Sequence, residues 1–287
     1  MPELPEVEIV KRSLSRIANK AKIKDIKVLN KNLRYKISRK FCDQLINEKI
    51  IKISRRSKYL IFHFKENFLL LHLGMTGKLL IVRQKDNKIF KSSLYYDLNI
   101  LTKHNHIYFL LNNGFVLIYN DVRRFGYFKY YSKKKLSEIS FLKRLGPEPL
   151  GKKFNHKYFK NFIKGKKKNI KSLLMDQTFV SGLGNIYVNE VLFVAKVNPF
   201  RLCCNLNGKN INQLIKNIKL VLKKSIINGG STIKDFKNPS GKSGNFQQFF
   251  RVYGKKNRKC SRISCSGKIN KILIHNRATF YCPECQT

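Results

Sequence analysis

Leu145-Gly146-Pro147-Glu148-Pro149-Leu150-Gly151 separates two kinds of periodicity in the chain. Its prolines and glycines interrupt both helix and central strand, so it reads as the end of a linker spanning residues 132–151. On the N-terminal side, apolar and polar residues alternate in short runs. They predict β segments at Ile23–Val28, Ile50–Ile53, Tyr59–Phe64, Phe68–His72, Leu79–Val82, Ile107–Leu111, Val116–Asn120 and Tyr127–Tyr131. Asn112-Asn113-Gly114 suits a hairpin turn, and the set implies an antiparallel sandwich or barrel. The long polar stretch from Arg83 to Lys103 is a surface excursion with no assigned role. On the C-terminal side the period becomes helical. Tyr158, Phe159, Phe162 and Ile163 mark one helix, Ile170, Leu173 and Leu174 a second, and Ile186 to Ala195 a third. A long one runs through Ile211, Leu214, Ile218, Val221 and Leu222 to a stop at Gly229-Gly230. The segment from about Tyr253 is too short for its own core and needs a metal. The expected division is therefore an α+β chain: a β domain over 1–131, the linker, a helical domain over 152–240 and a metal-held segment over 253–287.

The 287 residues have room for two domains, and 43% hydrophobic content supports real cores. Lys and Arg number 60 against 16 Asp and Glu, a net charge of +44, which calls for a polyanionic partner. Interleaving with 21 Phe and 13 Tyr favours nucleic acid over a membrane surface. Abundant Asn and Ile and the lack of Trp show that compositional bias contributes to that charge. The N-terminus has no export signal, and no apolar run approaches the roughly 20 residues of a membrane span. A soluble, cytoplasmic protein follows as the expectation.

Four of the seven cysteines form Cys260-x4-Cys265 and Cys282-x2-Cys285, with sixteen residues between the pairs. Two such pairs match a closed four-thiolate site for one structural zinc or similar ion. Between them, Ile272, Ile274, Ala278 and Phe280 alternate with Lys271, His275, Arg277 and Thr279. This predicts a hairpin whose turn presents Asn276-Arg277 to nucleic acid.

Weaker signals accompany the cysteines. Gly182-Leu183-Gly184-Asn185, preceded by Lys166-Lys167-Lys168, fits a helix-turn-helix that grips a phosphate backbone. A glycine turn with a solvated lysine run fits those residues equally well. In the β domain, Arg55-Arg56-Ser57-Lys58-Tyr59, His72-Leu73-Gly74-Met75-Thr76-Gly77 and Asp121-Val122-Arg123-Arg124-Phe125-Gly126 place Met and Phe beside glycines and arginines. Projecting into DNA, they would wedge between base pairs. Singly, packing and surface charge explain each one, and His104-Asn105-His106 reads as a polar loop.

The N-terminus, Met1-Pro2-Glu3-Leu4-Pro5-Glu6, carries chemistry. With Met1 removed, Pro2 presents a secondary amine beside two carboxylates, and an α-amino group with pKa about 7.7–8.0 is partly neutral at cellular pH. Its attack on an aldehyde-like carbon yields an iminium, a cationic electron sink. Pro5 also suits the first helical position, and Glu6 and Glu8 the positive end of the dipole, of a helix continued by Val7, Val10, Leu14 and Ile17.

Pro2-Glu3-Leu4-Pro5-Glu6-Val7-Glu8, His72 to Gly77, Arg123 to Gly126, Gly184-Asn185-Ile186-Tyr187 and Arg277 to Cys282 occur in that order over essentially the whole chain. Together they resemble the bacterial formamidopyrimidine-DNA glycosylases, and Leu4 favours this branch over the endonuclease VIII type. The resemblance implies a β-sandwich with a leading helix, a helix-two-turn-helix domain and a zinc finger. It further implies excision of oxidised purines (8-oxoguanine, formamidopyrimidines) from duplex DNA, followed by β,δ-elimination at the abasic site. Pro2 would be the nucleophile, Glu3 the acid/base group, Lys58 the proton donor in β-elimination and Arg277 a phosphate clamp. Met75, Arg123 and Phe125 would fill the gap left by the flipped nucleotide. His72, His104, Lys166 and Asn185 would contact DNA, Thr232 and Lys234 would belong to a loop over the lesion base, and Glu6 would help hold that base. Cys260, Cys265, Cys282 and Cys285 would bind Zn2+. A monomer acting at the bacterial nucleoid is expected. The alternatives are an oxidised-pyrimidine glycosylase of the endonuclease VIII type and a non-catalytic zinc-finger DNA-binding protein. Two departures stand out: four residues separate the first cysteines where the family has two, and Val122 replaces a proline, which predicts a looser loop.

Overall fold

A computed structural model describes residues 1–83, 102–132, 139–231 and 245–287. Thr232, Lys234 and most of the 83–103 excursion lie outside the described residues. The chain forms two compact units: Met1–Lys143 with Ile226–Gln247, and Arg144–Ser225 with Gln248–Thr287.

The first unit opens with α1 (Leu4–Ala18), followed by β1 (Ile23–Val28), β2 (Lys52–Arg56), β3 (Tyr59–His63), β4 (Asn67–His72), β5 (Lys78–Arg83), β6 (Asn105–Leu111), β7 (Phe115–Asn120) and β8 (Tyr127–Ser132), then the single-turn α2 (Ser140–Lys143). Two four-stranded antiparallel sheets result, ordered β1-β6-β7-β5 and β2-β3-β4-β8. They share one core with α1, in which Val7, Val10 and Leu14 meet Ile26, Phe62, Leu71, Leu79, Ile107, Tyr119 and Phe128. The architecture is thus a sandwich and not a barrel. The second sheet is covered on its other face as well, where Ile61, Phe68, Leu70 and Tyr127 bury against Ile139. This is why β3 and β4 read as almost unbroken apolar runs.

The second unit contains α3 (His156–Ile163), α4 (Ile170–Met175), α5 (Asn185–Val194), most of α6 (Gly208–Ile227) and the hairpin β9 (Asn270–Ile274) and β10 (Arg277–Tyr281). Asn169 caps α4 by accepting the Ser172 N–H at 2.8 Å. Between α4 and α5, Gln177 holds the turns together: its Oε1 accepts the Gly182 N–H and its Nε2 donates to the Leu183 carbonyl, each at 2.8 Å. Every residue from Ile186 to Phe193 is buried, so α5 forms the centre of this unit.

The hairpin differs from its sequence reading in two respects. Its two-residue turn is His275-Asn276, both with positive φ (46° and 56°), and Arg277 is the first residue of β10, paired with Ile274. That geometry matches the strand twist and leaves Arg277 exposed at the start of a rigid ladder. Thr279, expected to face outward, is fully buried because its hydroxyl accepts a hydrogen bond from Lys171 at 2.6 Å. No helix among the described residues is long and apolar enough to cross a membrane.

Candidate active site

The helix behind Pro2 is fixed by an acidic cap. Glu3 is the N-cap, Leu4 and Pro5 open α1, and the Glu3 and Glu6 carboxylates exchange hydrogen bonds with each other's backbone N–H groups, that to Glu6 Oε2 being 2.9 Å long. Pro5 therefore occupies the second helical position, not the first. Both carboxylates are buried, at 3% and 2% exposure. The other Glu6 oxygen accepts the backbone N–H and the hydroxyl of Ser231, each at 2.9 Å. Ser231 is the last described residue before the segment containing Thr232 and Lys234. The family resemblance puts Ser231 at the start of the loop expected over the lesion base, but nothing in its neighbourhood shows that a carboxylate far upstream is its partner.

Lys58 is held by the same helix at one remove. Glu8 accepts a hydrogen bond from Arg55 Nε at 3.0 Å, and Arg55 Nη1 donates to the Ser57 carbonyl at 2.8 Å. Ser57-Lys58 forms the two-residue turn between β2 and β3, with Ser57 at φ 56° and Lys58 only 7% exposed. Burial raises the Glu8 pKa, but hydrogen bonds from Lys11, Arg12 and Arg55 outweigh it and leave the carboxyl below its ordinary value. The His72 pKa is pushed down to about 4, by burial first and then by the charges of Lys58 and Arg34. Its neutral ring stacks on Tyr127 and accepts the Gly74 N–H on Nδ1 at 3.0 Å.

Met75 and Phe125 are exposed at 40% and 41% on neighbouring loops, and the Arg123 guanidinium lies 4.5 Å from the centre of the Phe125 ring. The loops touch through backbone: a Cβ on Gly74 would fall 2.5 Å from the Phe125 carbonyl carbon and the Gly126 nitrogen. Between them lies Asp121, fully buried and bonded to both. The looseness expected from Val122 is countered there. His104 is half-buried nearby in the chain, its carbonyl accepting the Asp121 N–H at 3.0 Å.

In the second unit, Lys168, Lys171, Ser172, His275 and Arg277 line an open groove. Lys171 is buried, donates to Thr279 Oγ1 and to the Ala278 carbonyl at 3.1 Å, and has its pKa lowered to about 8 by burial and by Arg277. Two cations held this close make a ready seat for an anion. Asn185 sits at the first position of α5, and its Nδ2 donates to the same Ala278 carbonyl at 2.9 Å. Lys166 is exposed beyond α3, its ammonium over the Phe162 ring. Lys171 carried no recognisable motif and was missed.

The four cysteines converge, all four sulfurs lying within 4.8 Å of one another, with Cys260–Cys285 at 3.8 Å and Cys265–Cys282 at 3.6 Å. Metal–sulfur bonds of about 2.3 Å in a tetrahedral site give sulfur–sulfur edges of about 3.8 Å, so the donor set fits a closed four-thiolate metal site. The longer first knuckle has a structural use. Its Arg262 reaches the C-terminal end of α5, donating to the Phe193 carbonyl at 2.6 Å and lying over the Phe193 ring. Glu190 of the same helix accepts the backbone N–H groups of Arg251, Val252 and Tyr253 at 2.8, 3.1 and 2.8 Å, fixing the approach to the finger.

Comparison with known proteins agrees with this geometry. The profile of the formamidopyrimidine-DNA glycosylase N-terminal domain matches residues 1–128, and that of the H2TH domain of the same enzymes matches 145–237. The formamidopyrimidine-DNA glycosylase of Haemophilus influenzae is 40% identical over 286 residues, covering 100% of this chain and 99% of its own. That of Rickettsia bellii is 42% identical over 287 residues with the same coverage. A Lactococcus lactis Fpg variant, solved with Fapy-dG-containing DNA, superposes with a TM-score of 0.87 at 35% identity over 100% of both chains. The wild-type Lactococcus lactis Fpg, solved with DNA containing an oxidised pyrimidine, gives 0.86 at 35% identity over 100% of both chains. Sandwich, paired turns and thiol-held hairpin thus define a base-excision repair DNA glycosylase with abasic-site lyase activity. The chain belongs to the formamidopyrimidine-DNA glycosylase family.

Proposed function

We propose that this enzyme excises 8-oxoguanine and formamidopyrimidines from duplex DNA through an iminium on Pro2 and then cuts the abasic strand by β,δ-elimination. The observation that supports the reading is the buried capping box, whose two carboxylates belong to Glu3 and Glu6, just after Pro2 in the chain. Once Met1 is removed, that nitrogen attacks C1′ of a flipped nucleotide and the base departs with the glycosidic electron pair. Flipping is required because the glycosidic bond is shielded inside the stacked duplex. Glu3 exchanges protons at the opening sugar. The iminium then acidifies C2′, and loss of that proton expels the 3′ phosphate, with Lys58 supplying and relaying protons. The second elimination expels the 5′ phosphate.

Arg277 and Lys171 seat a backbone phosphate, since a guanidinium with pKa above about 12 stabilises a leaving phosphate better than it donates a proton. Asn185, Lys166 and His104 contact further backbone. Met75, Arg123 and Phe125 occupy the vacated space, while neutral His72 braces the Met75 loop. Thr232 and Lys234 belong to the cover over the lesion base, anchored at Ser231 by Glu6. One Zn2+ on the four cysteines holds the finger hairpin. The working form is a monomer at the nucleoid, organised as a catalytic sandwich over 1–131, a linker over 132–151, a helix-two-turn-helix domain over 152–240 and a finger over 253–287.

Borohydride trapping with an 8-oxoguanine duplex tests the chemistry. A covalent adduct that maps to residue 2, from which Met1 is absent by mass spectrometry, is expected; no adduct overturns the reading. The Lactococcus lactis complex with an oxidised pyrimidine makes thymine glycol the right competitor. Faster excision of thymine glycol would move the assignment to the endonuclease VIII type, and damage-independent binding without cleavage would leave only a DNA-binding protein.

A further inference from the structure

Asp121 is 0% exposed, and its carboxylate accepts four hydrogen bonds. Oδ1 takes the Thr76 hydroxyl at 2.5 Å and the Arg123 N–H at 3.3 Å. Oδ2 takes the Tyr119 hydroxyl and the Gly126 N–H, each at 2.9 Å. Thr76 closes the ring, because its oxygen also accepts the Arg123 N–H at 3.1 Å. Asp121 is anchored through its backbone too: its carbonyl accepts the His106 Nε2 proton at 2.8 Å, and its N–H donates to the His104 carbonyl. Thr76 follows Met75, while Arg123 and Gly126 bracket the segment that carries Phe125. One buried carboxylate therefore ties the two exposed loops together.

We infer that Asp121 is a positioning residue that makes the Met75 loop and the Arg123–Phe125 loop act as a single wedge. The inference rests on the reading that these side chains fill the space of a flipped nucleotide. The physical case is that exposed side chains lose conformational freedom when driven into a base stack, and a separately mobile loop would lose more. A carboxylate that satisfies two backbone N–H groups and two hydroxyls fixes that geometry before DNA arrives. An isosteric amide cannot do the same, since its NH2 would face donors where Asp121 offers only acceptors. Thr76→Val tests the link more gently, removing the hydroxyl that joins the loops and leaving the carboxylate in place.

The experiment uses the full chain with its metal and a duplex holding a tetrahydrofuran abasic analogue, with 2-aminopurine in the opposite strand to report unstacking. Single-turnover release of 8-oxoguanine from a matched duplex is measured in parallel. Asp121→Asn and Thr76→Val are expected to unfold within a few degrees of the parent and to bind the tetrahydrofuran duplex. They should lose most of the fluorescence rise and excise about ten- to hundredfold more slowly, while Thr76→Ser restores both. Parental fluorescence and excision in Thr76→Val would overturn the inference, as would slow excision with an unchanged fluorescence rise. If Asp121→Asn does not fold, the Thr76 pair decides. A parent chain that unstacks the duplex yet releases no base counts against the proposed chemistry and leaves the wedge standing.

Discussion

Ser231 donates both its backbone N–H and its hydroxyl to one oxygen of Glu6, a residue 225 positions earlier. The other oxygen of that carboxylate holds the Glu3 N–H. A single side chain thus joins the start of α1 to the residue that leads into 232–244.

Glu6→Gln replaces one acceptor oxygen with a donor and breaks one side of this bridge. Excision of 8-oxoguanine should fall about ten- to hundredfold, since hydrogen bonds to a charged group are at stake. Single-turnover assays check this, and thermal unfolding should show a lower Tm from the damaged capping box.

Gly230 has φ +79°, and a Cβ there would lie 3.1 Å from both Glu6 Oε1 and Ile9 Cδ1. Gly230→Ala should cost about 1–2 kcal/mol from the left-handed backbone alone. Urea unfolding measures the loss, and excision should decline with it as Ser231 is displaced.

The pH dependence of stability has a histidine window. In the unfolded chain His72 titrates near 6.5, but in the folded protein its pKa is about 4, so acid favours the unfolded state. Stability should fall by about 2 kcal/mol between pH 7 and pH 5 from this residue. The Glu8 carboxyl, held below its ordinary value, contributes stability that is lost only at lower pH, as the pH falls through its folded pKa. Urea unfolding of the parent and His72→Gln at both pH values isolates the histidine's contribution: the parent should lose more than the variant.

Metal removal should act locally. A strong chelator or Cys265→Ser is expected to speed amide hydrogen exchange across 253–287 and weaken DNA binding, while exchange in the sandwich strands stays slow. Elemental analysis should find one zinc per chain.

Arg262→Ala probes the longer knuckle. Loss of its bond to the Phe193 carbonyl and of its contact with the ring should cost about 1–2 kcal/mol. The same metal would then be released at a lower chelator concentration.

Local chemistry was legible in the sequence, and long-range pairing was not. Seven of the eight strands of the sandwich fall within a residue or two of their apolar runs, because each run must bury one or both faces in a shared core. The exception, β2 (Lys52–Arg56), lies later than the expected Ile50–Ile53, its second half being the polar Ser54-Arg55-Arg56. The cysteines announced their site through spacing alone. The partners of Asp121, Lys171, Glu190 and Ser231 gave no such signal. A buried polar residue is explained only by the donors or acceptors around it, and theirs come from other elements: Thr76 for Asp121, Thr279 for Lys171, the 251–253 backbone for Glu190. The hairpin turn was misplaced by one residue because His275 adopts a left-handed φ that glycine or asparagine would have advertised.

The chain passes between its two units after Lys143, after Ser225 and after Gln247. No single cut yields either unit as one continuous fragment, so exchanging either between relatives takes more than one junction. The order of synthesis matters too. The ribosome makes Glu6 almost at once, but the first unit stays incomplete until Gln247 has emerged. For most of translation the buried carboxylate at the start of the protein lacks Ser231, and the segments made first must wait for one made late.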